Sequence, residues 1–122
     1  MEENLISREV ADLAKRKGIN IVSDKGYFRH GTEELYDVLL LWCEGEEGEP
    51  EFGYAPPQTS LQRVLREEYG LVITVQPTMS GGKVAYYYSL FKDGEVVPEG
   101  AFKRDYEVAL EEGLLNVLIK YL

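Results

Sequence analysis

The side chains in this chain that could act as nucleophile, base or metal ligand are few and scattered. His30 is the only histidine and Cys43 the only cysteine. A thiol attacks only with a base beside it, and the one imidazole would have to be that base. An isolated histidine in a glycine-flanked turn is ordinarily a surface residue, and an isolated cysteine ordinarily packs as a small hydrophobe. Glu44, Glu46, Glu47, Glu49 and Glu51 could attract a divalent cation, but they lack the aspartate-rich spacing of a calcium loop. Ser80-Gly81-Gly82-Lys83 sets a lysine behind two glycines, yet it leads into another strand-like run and lacks the phosphate-loop pattern. No catalytic residue, cofactor or metal site follows from these groups. An enzyme using His30 or Cys43 is the weakest of the functional readings.

Charge says more. The chain of 122 residues has a formal net charge of −9, and the acidity is concentrated. Residues 32–57 hold eight Asp and Glu and no Lys or Arg, while the two flanking stretches are nearly balanced. A solvated face is the ordinary meaning of such a run. The sharper alternative is an acidic surface, at Glu44, Glu46, Glu47 and Glu49, that meets a basic partner or mimics nucleic acid. The same balance argues against nucleic acid itself as the ligand, because phosphates would be repelled. An apolar fraction of 44% is ordinary for a folded protein. No apolar run approaches the roughly 20 residues that span a bilayer. Met1-Glu2-Glu3-Asn4 lacks the basic start of a signal peptide, and one cysteine makes no internal disulfide. The expectation is one cytoplasmic domain over residues 1–122 with no membrane partner.

The elements that must position any site are legible in part. Gln58 to Val75 reads as a helix with Leu61, Val64, Leu65 and Tyr69 on one face, a stop at Gly70, and a β-branched strand from Leu71. An earlier helix near 8–17 has Ser7 as N-cap, Val10, Leu13 and Ala14 as its stripe, and Gly18 as its stop, with Ile19 folding back. Ile19 to Ile21 could form a short strand, with Tyr27-Phe28-Arg29 pairing back across Ser23-Asp24-Lys25-Gly26. Thr32 looks like the N-cap of a helix carrying Leu35, Val38, Leu39 and Trp42, although Val38 to Cys43 is also an acceptable buried strand. The helix is favoured here. Glu44 to Pro50 is a loop, and Pro56-Pro57 lead into the Gln58 helix.

After Val75, Pro77 and Ser80-Gly81-Gly82 form a connection to a second strand, Val84 to Phe91. Asp93-Gly94 suits a tight turn into a third strand that ends at Pro98, a residue compatible with an edge. Asp105 is the expected N-cap of a last helix near 106–121. Gly113 interrupts that helix, which implies close approach of a neighbouring element. Residues 58–122 therefore form an α+β unit of order αβββα, a three-stranded antiparallel meander with both helices on one face. Residues 1–57 precede it as a helical and irregular segment. In topology the unit matches the double-stranded-RNA-binding fold, but Lys103 and Arg104 are followed by Asp105, Glu107, Glu111 and Glu112, which do not suit phosphate.

Three segments carry a resemblance. Leu5-Ile6-Ser7 with Val10, Leu13-Ala14-Lys15 and Lys17-Gly18 resembles the opening of a family of small uncharacterised proteins from phages, prophages and mobile elements of Bacteroidetes. Tyr54-Ala55-Pro56 with Gln58, Leu61-Gln62 and Leu65-Arg66-Glu67 is similar to that family's central motif, and Tyr106-Glu107 with Ala109-Leu110-Glu111 and Gly113-Leu114 to its closing helix. Pro57 and Val64 depart from the pattern, where a threonine and a large aromatic are common. The resemblance implies a phage or mobile-element context and no catalytic residues.

Nine tyrosines and one tryptophan favour a binding role, since large rigid aromatics concentrate at interface centres. Alternation along Tyr86-Tyr87-Tyr88 sends side chains to both faces of the strand. With one face under the helices, Tyr86 and Tyr88 are the expected partner surface, unless the N-terminal helix covers it. The expected activity is a protein-interaction module with an unidentified protein partner, or a homodimer through the open face.

Overall fold

A computed structural model describes residues 4–19, 21–29, 37–41, 52–98 and 100–122. Among these the helices are α1 (Arg8–Arg16), α2 (Gln58–Tyr69) and α3 (Tyr106–Tyr121). The strands are β1 (Lys25–Arg29), β2 (Asp37–Leu41), β3 (Val72–Ser80), β4 (Lys83–Lys92) and β5 (Glu95–Pro98). The class is α+β. By its internal contacts the chain divides into two compact units, Met1–Pro57 and Gln58–Leu122.

In the first unit, α1 starts where its chemistry says it should. The Ser7 hydroxyl accepts from the Val10 N–H at 3.3 Å, satisfying one of the donors that a helix start leaves open. Val10, Ala11 and Ala14 are buried, together with Ile6, Ile19 and Ala55. At the other end the Ile19 N–H donates to the Ala14 carbonyl at 2.9 Å, so Ile19 does fold back over the helix end. That role removes it from any strand, and Ile19 and Ile21 are not strand residues. The expected pairing of Tyr27-Phe28-Arg29 with that stretch is therefore corrected.

Strand β1 pairs antiparallel with β2 instead, with Tyr27 opposite Leu39. Its other edge takes up residues 52–55. Tyr27 donates to the Gly53 carbonyl at 3.0 Å and accepts from the Phe52 N–H at 2.9 Å. The Tyr27 hydroxyl donates to the Ile6 carbonyl at 2.8 Å, tying the strand to the chain just before α1. The helix favoured over Thr32 to Cys43 is overturned at Asp37–Leu41, which is strand. Val38 to Leu41 fits a helix or a buried strand by pattern alone, and pairing with β1, which satisfies the strand's backbone, decides for strand. Thr32 to Tyr36, Trp42 and Cys43 lie outside the described residues.

The second unit runs α2, β3, β4, β5, α3, with the sheet in the order β3-β4-β5. Leu61 and Leu65 on α2 are buried, and the Leu71 N–H closes the helix end on the Leu65 carbonyl at 3.0 Å. Both hairpin turns have two residues with positive φ, Gly81 (+60°) with Gly82 (+75°), and Asp93 (+53°) with Gly94 (+82°). This is the type I′ geometry that matches strand twist, and it sets Ser80 opposite Lys83 and Lys92 opposite Glu95. β3 runs unbroken through Pro77 to Ser80, longer than the strand expected to end near Val75.

Helix α2 packs on β3 and α3, and α3 packs on β3 and β4. Gln58, itself buried, donates from Nε2 to the Glu107 carbonyl at 3.0 Å and to Glu111 Oε2 at 2.8 Å, linking the start of α2 to α3. Asp105 stands at the N-cap of α3 with extended backbone but makes no side-chain cap bond. Ala109, Leu110, Gly113, Leu114, Val117 and Leu118 form the buried side of α3.

Candidate functional site

Strand alternation divides the meander into two faces, and the helix contacts decide which is which. A Cβ on Gly113 of α3 would stand 3.0 Å from both Ile73 Cγ2 and Tyr88 Cγ. Lys92 Nζ lies 4.9 Å from the Tyr121 ring centroid, and the Tyr86 and Tyr106 rings meet edge to face at 5.9 Å. Ile73, Tyr86, Tyr88 and Lys92 therefore point toward the helices. Register assigns Val72, Thr74, Gln76 and Thr78 to the far face, with Ala85, Tyr87, Ser89, Phe91 and Val96.

That far face is built in rows. Val72, Phe91 and Val96 stand opposite one another across three strands. Behind them the hydroxyls of Thr74 and Ser89 meet at 2.9 Å, so the polar atoms of this row are satisfied within it. Next come Gln76 and Tyr87, and Phe102 packs tilted against Tyr87 with centroids 5.8 Å apart. Phe102 is held there because Lys103 exchanges two backbone hydrogen bonds with Tyr86, at 2.7 Å each, continuing the edge of β4 beyond β5. Lys103 turns the opposite way, to Glu112 Oε2 at 2.8 Å.

The exposures identify the site. Phe91 is 44% exposed and Val96 64%, both on sheet strands, and Phe102, in the connection from β5 to α3, is 57% exposed. Among the described residues this face carries no carboxylate, and its charges are Lys83 and Arg104 at the hairpin end, where Arg104 donates to the Ser80 carbonyl at 3.1 Å. The chemistry this face offers is chiefly apolar and aromatic contact, with the Thr74 and Ser89 hydroxyls paired to each other.

Of the residues expected to form a partner surface, Tyr88 is a correction. It is 1% exposed, its ring lies under α3, and its hydroxyl accepts from Asn116 Nδ2 at 3.0 Å. Tyr86 is half-buried on the same helix-covered side. The physical reason is phase: in a period of two, the face taken by the helices takes every second residue, and Tyr87 is the one left outside. Glu44, Glu46, Glu47, Glu49 and Glu51, with His30 and Cys43, lie outside the described residues. Among the described residues no group of three His, Cys, Asp or Glu could hold a metal ion, and no helix is long and apolar enough to cross a membrane.

Sequence reasoning missed Phe91, Val96 and Phe102. The signal for the first two was present, because a two-residue turn at Asp93-Gly94 sets Phe91 opposite Val96. Phe102 had none, since its position follows from the pairing of Lys103 with Tyr86. No family model, no curated protein and no solved structure matches the chain.

Proposed function

We propose that this is a small accessory protein of a phage or mobile element that acts by binding another protein, through the far face of its three-stranded sheet. The observation that carries the binding role is the exposure of Phe91, Val96 and Phe102 together on one face that holds no carboxylate among the described residues. Exposing large apolar side chains costs about 25 cal/mol for each Å² left in water, and an interface core recovers it. Aromatic anchors on a rigid strand also lose little conformational entropy on binding. The phage context rests on the three resembling segments, around Leu5–Gly18, Tyr54–Glu67 and Tyr106–Leu114.

The test compares two variants for capture of the partner that the parent retains from a host lysate. F91S with F102S is expected to lose that partner while keeping the parent's melting temperature within a few degrees. Neutralising Glu44, Glu46, Glu47 and Glu49 to glutamine is expected to leave capture intact. The reverse pattern would replace this reading with the acidic, nucleic-acid-mimicking one. Capture retained by F91S with F102S would remove the sheet face from the site.

A further inference from the structure

The backbone of the outer strand β3 carries an observation independent of that reading. In an antiparallel ladder, successive residues turn their N–H and C=O alternately toward the paired strand and away from it. The two-residue turn makes Ser80 and Lys83 a hydrogen-bonded pair, so Thr78, Gln76, Thr74 and Val72 also turn toward β4. Met79, Pro77, Val75 and Ile73 turn outward, to an edge with which no strand pairs among the described residues. Two contacts check this phase. The outward Ile73 carbonyl accepts from Gln62 Nε2 of α2 at 2.7 Å. Tyr86, opposite Pro77, directs its own N–H and C=O to Lys103 on the side away from β3.

Pro77 therefore costs the ladder nothing, because its missing donor would have pointed away from β4, to the edge with which no described strand pairs. It stands midway along a nine-residue edge, flanked by the outward-facing Val75 and Met79. An exposed strand of that length is otherwise a template for another strand. The opposite edge repeats the device: the turn at Asp93-Gly94 sets Phe91–Val96 and Ser89–Pro98 as pairs that do not exchange hydrogen bonds, so Pro98 also faces outward.

We propose that Pro77, together with Gln62 on the Ile73 carbonyl, is an edge guard that keeps β3 from pairing antiparallel with β3 of a second copy of this chain. Removing the guard, as P77T with Q62A, supplies the missing donor and frees the carbonyl. By the twofold symmetry of such a pair each change counts twice. Light scattering over a concentration series is expected to show an added association step, with a dissociation constant on the order of tenfold or more below the parent's. Amide exchange is expected to slow at Val75, Met79 and the new amide at position 77 as concentration rises, and to be fast there in dilute solution. Equal mass and equal exchange in parent and double variant at every concentration would overturn the proposal. P77T alone guards against a double variant that fails to fold. An amide at position 77 protected even in dilute solution, or loss of folding by P77T itself, overturns it too, since an outward strand position accepts threonine.

Discussion

Gly113 of α3 lies directly over the Tyr88 ring of β4, so close that a single added carbon would stand 3.0 Å from Tyr88 Cγ and from Ile73 Cγ2. Alanine would favour the helix by about 1 kcal/mol. Overpacking against a buried ring costs roughly 1–3 kcal/mol. Tyr88 cannot give way, because its hydroxyl is held by Asn116 and its ring edge is close to Gly100. G113A is expected to lower stability by about 1 kcal/mol net and G113V by more. The midpoint of urea unfolding reads both; a stabilised G113A would show that the ring moves.

Gln58 is the polar anchor between α2 and α3. Its amide donates to the Glu107 carbonyl and to Glu111, and it is buried. Q58A is expected to destabilise the second unit by roughly 1–3 kcal/mol, since a carbonyl and a carboxylate lose a donor. Q58E should cost at least as much, because it sets a second carboxylate beside Glu111. Unfolding followed by circular dichroism distinguishes these from a neutral change.

Ser7 tests the first unit. Its hydroxyl caps α1 through Val10, and Ser7 takes part in further bonding as well. S7A is expected to cost about 1 kcal/mol and S7D to cost much less, because aspartate caps equally well and complements the helix dipole. Hydrogen exchange of the Val10 and Ala11 amides reads the effect locally.

Glu112 holds the segment between β5 and α3. It accepts from the Ala101 N–H at 3.2 Å and pairs with Lys103 at 2.8 Å, both partners being partly exposed. E112Q keeps an acceptor and loses the charge, so a loss of under about 1 kcal/mol is expected, shrinking as salt is raised. E112A loses both bonds and should cost more at every salt concentration. Chemical unfolding at low and high salt gives the comparison.

What the sequence alone determined about this protein is local. Ser7 before Val10, the two-residue turns at Gly81-Gly82 and Asp93-Gly94, and the helix-strand step at Gly70 are set by backbone dihedrals and bonds spanning a few residues. They suffice for α1 and for the order αβββα from Gln58 onward, whereas the register of β3 on β4 extends through Pro77 to Ser80, past the strand end expected near Val75. Gly113 was legible too, because a glycine inside a helix needs a neighbour to justify its cost.

Tertiary structure decided the rest. Val38 to Leu41 satisfies helix and strand patterns alike, and the choice was made by Tyr27 and its neighbours, a strand ten or more residues away. Likewise Tyr86, Tyr87 and Tyr88 are chemically identical, and nothing within the triplet says which face the helices will take. Gly113 packing onto Ile73 and Tyr88 made that choice, burying Tyr88 and leaving Tyr87 beside Phe102. A period of two specifies alternation without specifying phase. The phase comes from the burial of apolar area across the whole unit, and together with the pairing of Lys103 to Tyr86 it turned Phe91, Val96 and Phe102 into a surface.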